Sequence, residues 1–160
     1  MPYIHSVARA LAPHAYTQEE LTASLLEIWG TKYVNPERIL RFQQNVLVGG
    51  RNLAVPLERY GELEDLGEAN DAWLEAAVPM ATQAVQELLD KAGLKATDIS
   101  QLTSTTVTGL AVPSLDARLM NTVGFSRDTR RTPLFGLGCL AGVAGINRVG
   151  DYLKGHPDQA

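Results

Sequence analysis

Apolar positions recur at helical spacing from Ala72 to Lys91, where Leu74, Val78, Ala81, Val85 and Leu88 share one face. That run predicts a long helix, kinked at Pro79 and capped by Gly93. Upstream, Thr17 and Glu20 form a T-x-x-E capping box, so a helix is expected from Gln18 to Trp29, with Gly30 as its stop. Asn35 followed by Pro36 is a second start signal, and the helix it opens should run through PERILRFQQNVLV to Gly49-Gly50. On that helix Ile39, Phe42 and Val46 mark an apolar face, and Arg38, Arg41 and Asn45 mark a polar face at the same spacing. Strand patterns lie between. Residues 3–11 (YIHSVARAL) read as a strand ended by Pro13, and 51–57 (RNLAVPL) as a short edge strand, because Pro56 cannot donate to a ladder. Residues 98–108 (DISQLTSTTVT) are rich in β-branched side chains, and 131–138 (RTPLFGLG) form a further apolar run; both should be central, buried strands. Pro113 and Ser114 open a short helix closed by Gly124, and a last helix follows Cys139, with Leu140, Val143 and Leu153 on its apolar side. Strands alternating with helices predict an α/β fold with a largely buried sheet.

Composition narrows this picture only a little. The 160 residues are 45% hydrophobic and 20% charged, an ordinary folded composition large enough for one domain with a core. The net charge of −4 gives no reason to expect a nucleic-acid partner. The N-terminal segment lacks a basic start followed by a long apolar stretch, so neither a signal peptide nor a membrane span is expected. A single cysteine cannot form an internal disulfide and points to a reducing, cytoplasmic setting. No CxxC, HExxH or P-loop pattern supports a metal or a nucleoside triphosphate. His5 falls in the first expected strand, His14 in a turn and His156 in a polar tail, none of them placed for catalysis.

The candidate chemistry rests on that cysteine. In PLFGLGCLAGVAG the order is strand, Gly138, Cys139, helix. The thiol would then stand at a helix N-terminus, where backbone N–H groups and the helix dipole favour a thiolate. Small residues after it (Ala141, Gly142, Ala144 and Gly145) would let the helix pack closely. The same position suits a small buried hydrophobe, and composition does not separate the two readings.

The stretch TPLFGLGCLAGVAGINRVGDYL resembles the nucleophile segment of type III polyketide synthases, the chalcone synthase-like enzymes, and TSTTVTGLAVPSLDARLMNTVGF is similar to the segment that precedes it in that family. ERILRFQQNVLVGGRNLAVPLERY looks like the region that follows the family's CoA-binding helix. The resemblance covers nearly the whole chain. It implies a thiolase-like layered fold of two α/β halves, with this chain (1–160) as the N-terminal, cysteine-bearing half and the C-terminal half outside it. It also implies decarboxylative condensation of malonyl-CoA onto an acyl-CoA starter held as a thioester on cysteine. CoA thioesters are then substrates, no resident cofactor or metal is needed, and the complete enzyme is a homodimer.

Residue by residue, the resemblance places Cys139 on the nucleophile. Thr108 falls on a small hydroxyl residue beside the cavity, and Val107 on a position where plant members often carry threonine. Val112 falls on a methionine that in plant members crosses the dimer interface; a shorter valine implies a roomier pocket, suited to a fatty acyl starter. Arg38 and Arg41 fall on two of three basic positions that hold CoA phosphates, and Asn45 replaces the third. Taken without the resemblance, the same stripe is what the solvated face of an amphipathic helix looks like. The family's catalytic His and Asn are expected beyond residue 160. The competing readings are a fatty-acid-type ketoacyl synthase that uses an acyl carrier protein, and a non-catalytic acyl-CoA-binding or interaction fragment.

Overall fold

The computed structural model describes residues 1–29 and 35–160. The expected stop at Gly30 lies outside the described residues. The chain divides into two compact units, Leu11–Ala72 and Met1–Ala10 with Trp73–Ala160.

In the first unit, strand β1 (His14–Thr17) pairs antiparallel with β2 (Gly50–Leu53), with Ala15 opposite Asn52. Helix α1 (Gln18–Trp29) begins where the capping box placed it. The Thr17 N–H donates to Glu20 Oε2 at 2.7 Å, and the Glu20 N–H donates back to Thr17 Oγ1 at 3.2 Å. Helix α2 (Pro36–Asn45) is capped by Asn35, whose Oδ1 accepts from the Arg38 N–H at 3.0 Å. It stops at Asn45, short of Gly49-Gly50, because Leu47 takes a left-handed φ of 54° that no helix can continue through.

The expected strand at 3–11 does not form. Tyr3, Ile4 and Val7 are exposed, and no strand among the described residues pairs with the segment; a strand without a neighbour does not hold by itself. His5 is therefore not in a strand, and His14 starts one. Helix α3 (Leu66–Ala92) starts six residues before the expected Ala72 and continues through Pro79. Gly93 ends it at φ 67°.

In the second unit, β3 (Gln101–Thr106) and β4 (Arg130–Phe135) pair parallel, Thr103 opposite Thr132 and Thr106 opposite Phe135. A parallel pair needs a crossover, and this one carries helix α4 (Leu115–Leu119), a π-type turn (Met120–Gly124) and Gly124 at φ 83°. Helix α5 (Ala141–Gly155) follows β4. Leu89, Leu119, Phe125 and Ala141 are the apolar side chains buried here. The strands are neither central nor fully buried. Each has one described neighbour, β3 is half-buried throughout, and β4 alternates with exposed positions, as a two-stranded sheet with uncovered edges must.

Candidate active site

Strand β4 ends at Phe135, earlier than the expected 138, because Gly136 and Gly138 both take left-handed backbone angles, φ 82° and 56°. A Cβ at either glycine would meet nothing within 4 Å, so the backbone conformation, not space, calls for glycine there. The double reversal throws the chain into a single 3-10 turn, Gly138–Leu140, that runs directly into α5. Cys139 is the middle residue of that turn, and it is exposed. Neither the turn nor α5 has a side-chain cap, so no side chain competes for the backbone donors at this end.

The face of α5 that packs inward is its small one. Ala141 and Gly145 are buried, and a Cβ at Gly145 would lie 3.1 Å from Thr105 Cγ2. Leu140 and Val143, expected on the inner side, are exposed together with Leu137 and Ile146; Leu153 is half-buried. The helix rests on β3 through glycine, and a leucine could not approach that closely.

Val107, Thr108 and Val112 lie in the loop between β3 and α4. All three are exposed, Val112 to 93%. Around them Leu110 and Phe135 also present apolar surface. The loop ends in a charged knot. Asp116, with 0% of its surface exposed, accepts from Ser104 Oγ on β3 at 2.9 Å and from Arg131 Nη1 on β4 at 3.1 Å. One carboxylate thus ties α4 to both strands, including the strand that leads to Cys139. Its mark in the sequence is a lone carboxylate among LDARLM, which periodicity treats as an exposed helical position.

Arg38, Arg41 and Asn45 are all exposed on α2, so the polar stripe exists as expected. The opposite face is corrected in one place. Phe42 is 65% exposed, and Gln43 takes the inward position beside Ile39 and Val46, where its amide accepts from Gln18. Gln43 adjoins a hollow lined by Leu21, Leu25, Ile28, Leu53, Leu57 and Tyr60. His156, expected in a polar tail, stacks on Tyr152 with ring centroids 4.2 Å apart. No helix among the described residues is long and apolar enough to cross a membrane.

Comparison with known proteins supplies the family. The chain is 43% identical over 155 residues to a 1,3,6,8-tetrahydroxynaphthalene synthase of Streptomyces peucetius, covering 97% of this chain and 41% of that protein. Among solved structures, the tetrahydroxynaphthalene synthase of Streptomyces coelicolor matches with a TM-score of 0.85 at 31% identity, over 96% of this chain and 45% of that one. The polyketide synthase PKS-I of the brown alga Ectocarpus siliculosus matches with a TM-score of 0.82 at 26% identity, over 98% of this chain and 45% of that one. The chain therefore spans less than half the length of these relatives. The model for FAE1/type III polyketide synthase-like proteins matches residues 30–160. The chain belongs to the FAE1/type III polyketide synthase-like family.

Proposed function

We propose that residues 1–160 are the nucleophile-bearing, thiolase-like half of a type III polyketide synthase, and that Cys139 carries the growing acyl chain. The observation that carries the reading is the exposed thiol on a two-glycine elbow, at the mouth of an uncapped helix, in a chain of this family. The Cys139 thiolate attacks the carbonyl carbon of an acyl-CoA, and CoA leaves as its thiolate. Malonyl-CoA then loses carbon dioxide, and the electron pair left on its α-carbon attacks the enzyme-bound thioester. That step forms a carbon–carbon bond and releases the Cys139 thiolate. The backbone N–H of Cys139 suits the oxyanion of each tetrahedral intermediate. The His and Asn that the family uses in decarboxylation belong to its second half.

Val107, Thr108 and Val112 form one wall of the acyl pocket, and Arg38, Arg41 and Asn45 hold the CoA phosphates. CoA thioesters are the substrates, with no resident cofactor. The working protein is a cytoplasmic homodimer. Two of the similar proteins are named for tetrahydroxynaphthalene, and a polyhydroxylated aromatic product is the corresponding proposal here.

The test is mass spectrometry of the full-length protein after incubation with starter acyl-CoA. The adduct is expected on Cys139, and Cys139→Ala should abolish both adduct and product. An adduct on another residue, or turnover by Cys139→Ala, would overturn the reading.

A further inference from the structure

The loop that carries Val107, Thr108 and Val112 has no regular structure, and its side chains face outward. Gly109 is the buried exception between exposed neighbours. A Cβ at Gly109 would lie 1.8 Å from Trp73 Cδ2, 2.2 Å from Cε3 and 2.3 Å from Cε2. These atoms surround one edge of the six-membered ring, so the indole lies flat against the glycine backbone. No side chain fits at Gly109 unless the ring moves. At the loop's far end, Arg118 Nε donates to the Pro113 carbonyl at 3.1 Å. The loop is thus fixed at its middle by an aromatic plate and at its end by a guanidinium, while Val107, Thr108 and Val112 keep exposed side chains.

We infer that Trp73 and Gly109 form a seat that sets the height of the 107–112 loop and through it the length of acyl chain the pocket admits. The inference rests on the proposed role of this loop as a pocket wall. Trp73 is a positioning residue: it touches the loop backbone, and the loop side chains touch the acyl group. Displacement of a positioning element by about 1 Å is enough to change how a substrate is held. The indole fixes that distance because its ring atoms move as one rigid plane, broader than any aliphatic side chain.

The experiment uses the full-length protein in a Cys139→Ala background, so that thioesters bind without being consumed. Acetyl-CoA, octanoyl-CoA and free CoA are titrated by calorimetry against this parent and against Trp73→Leu, Gly109→Ala and the double variant. Trp73→Leu should change the ratio of the acetyl-CoA and octanoyl-CoA Kd values by roughly tenfold or more, the scale on which a pocket discriminates small apolar differences. Affinity for free CoA should stay within about twofold of the parent. Gly109→Ala should shift the ratio as well, and adding Trp73→Leu should relieve part of that shift, since the smaller side chain makes room for the new methyl. Should Gly109→Ala fail to fold, Trp73→Leu and the double variant decide. An unchanged ratio in folded Trp73→Leu overturns the seat and leaves the polyketide reading standing. Equal weakening of all three ligands also overturns it, as a general packing defect. Failure of the parent to bind either thioester removes the polyketide reading, and this inference with it.

Discussion

Helices in the two units are anchored by different means. In Leu11–Ala72, α1 and α2 are each fixed by residues next to them in sequence: Thr17 and Glu20 exchange hydrogen bonds, and Asn35 caps a helix whose first residue is Pro36. In Trp73–Ala160, neither α4 nor α5 begins with a side-chain cap. Those helices are held from a distance, α4 by the bonds from Asp116 to Ser104 and Arg131, and α5 by Gly145 against Thr105. The proposed CoA-contacting stripe therefore stands on locally specified structure. The proposed nucleophile stands on structure that exists only once the second unit has folded. Damage to the two sites should differ in kind, affecting binding at the first and folding at the second.

The largest effect is expected at the charged knot, and it should be asymmetric. Arg131 keeps 41% of its side chain in solvent, whereas Asp116 keeps none. Arg131→Met leaves a buried carboxylate with Ser104 as its remaining partner among the described residues, a loss of about 3–5 kcal/mol by the usual cost of an uncompensated buried charge. Asp116→Asn leaves a cation that can turn to water and an amide that can still accept from Ser104, so about 1–3 kcal/mol is expected. Urea midpoints of the two variants in the full-length protein measure this. Equal losses, or a greater loss in Asp116→Asn, would mean that the knot does not work as described.

The same division explains what could be read from the sequence. The start of α1 was legible to the residue because the signal and the structure it causes lie three positions apart. The α2 cap and the glycine stops at Gly93 and Gly124 were legible for the same reason. The cysteine elbow was legible in order, strand to turn to helix, but not in its detail, since nothing local distinguishes Gly136 as the end of β4 from a glycine inside it. The 3–11 segment has strand composition but no partner strand among the described residues, and pairing is not written in composition. Phe42, expected inward, faces solvent, and Gln43 turns inward instead, because a ten-residue helix with no buried residue has only a weak inner face to impose. Asp116, and the contact of Trp73 with Gly109, depend on residues 12 to 36 positions away in sequence, beyond the reach of periodicity.

At the locally built site the expected effect is on binding. Since α2 buries no residue, changing both Arg38 and Arg41 to Ala should leave the Tm within about 2 °C of wild type, in line with other exposed substitutions. In the full-length enzyme the KM for malonyl-CoA should rise while kcat changes little, because a phosphate contact far from the chemistry is made equally in ground and transition states. Removing one charge-assisted hydrogen bond to a phosphate weakens binding by about 1.5–3 kcal/mol. An unchanged KM would assign the stripe to solvent. A large drop in Tm would erase the contrast between the units.

Two glycines of α5 sharpen the contrast on one helix. Gly142 has nothing within 4 Å of an added Cβ, while Gly145 meets Thr105 Cγ2 at 3.1 Å. Gly142→Ala should therefore stabilise by about 0.5–1 kcal/mol, the ordinary gain from replacing a helical glycine. Gly145→Ala makes the same local gain but pushes on β3, and should be neutral or destabilising by about 1 kcal/mol. Equal gains at both positions would mean that α5 is not held against β3 through Gly145. Chemical denaturation of the two variants side by side measures the difference.

The smallest effect belongs to the capping box, and pH isolates it. Hydrogen bonds from the Thr17 backbone N–H and then from its hydroxyl hold the Glu20 carboxyl below its ordinary value of 4.5, against a small opposing effect of burial. A carboxylate whose folded value is depressed contributes stability that is fully present above the unfolded value and is lost as pH falls through the folded one. The contribution of Glu20 should therefore be constant near neutrality and disappear on acidification below about pH 4.5. Glutamine at this position can still accept the Thr17 N–H but cannot titrate. Glu20→Gln should thus change little at pH 7 and should flatten the acid limb of the stability curve relative to wild type. Thr17→Ala removes the hydroxyl that caps α1, so it should lower stability at both pH values while weakening the pH dependence. Denaturation curves for all three proteins at pH 7 and at pH 4 separate these outcomes, and an acid limb left as steep in Glu20→Gln as in wild type would place the titrating group elsewhere and end the claim that α1 is fixed by its own first turn.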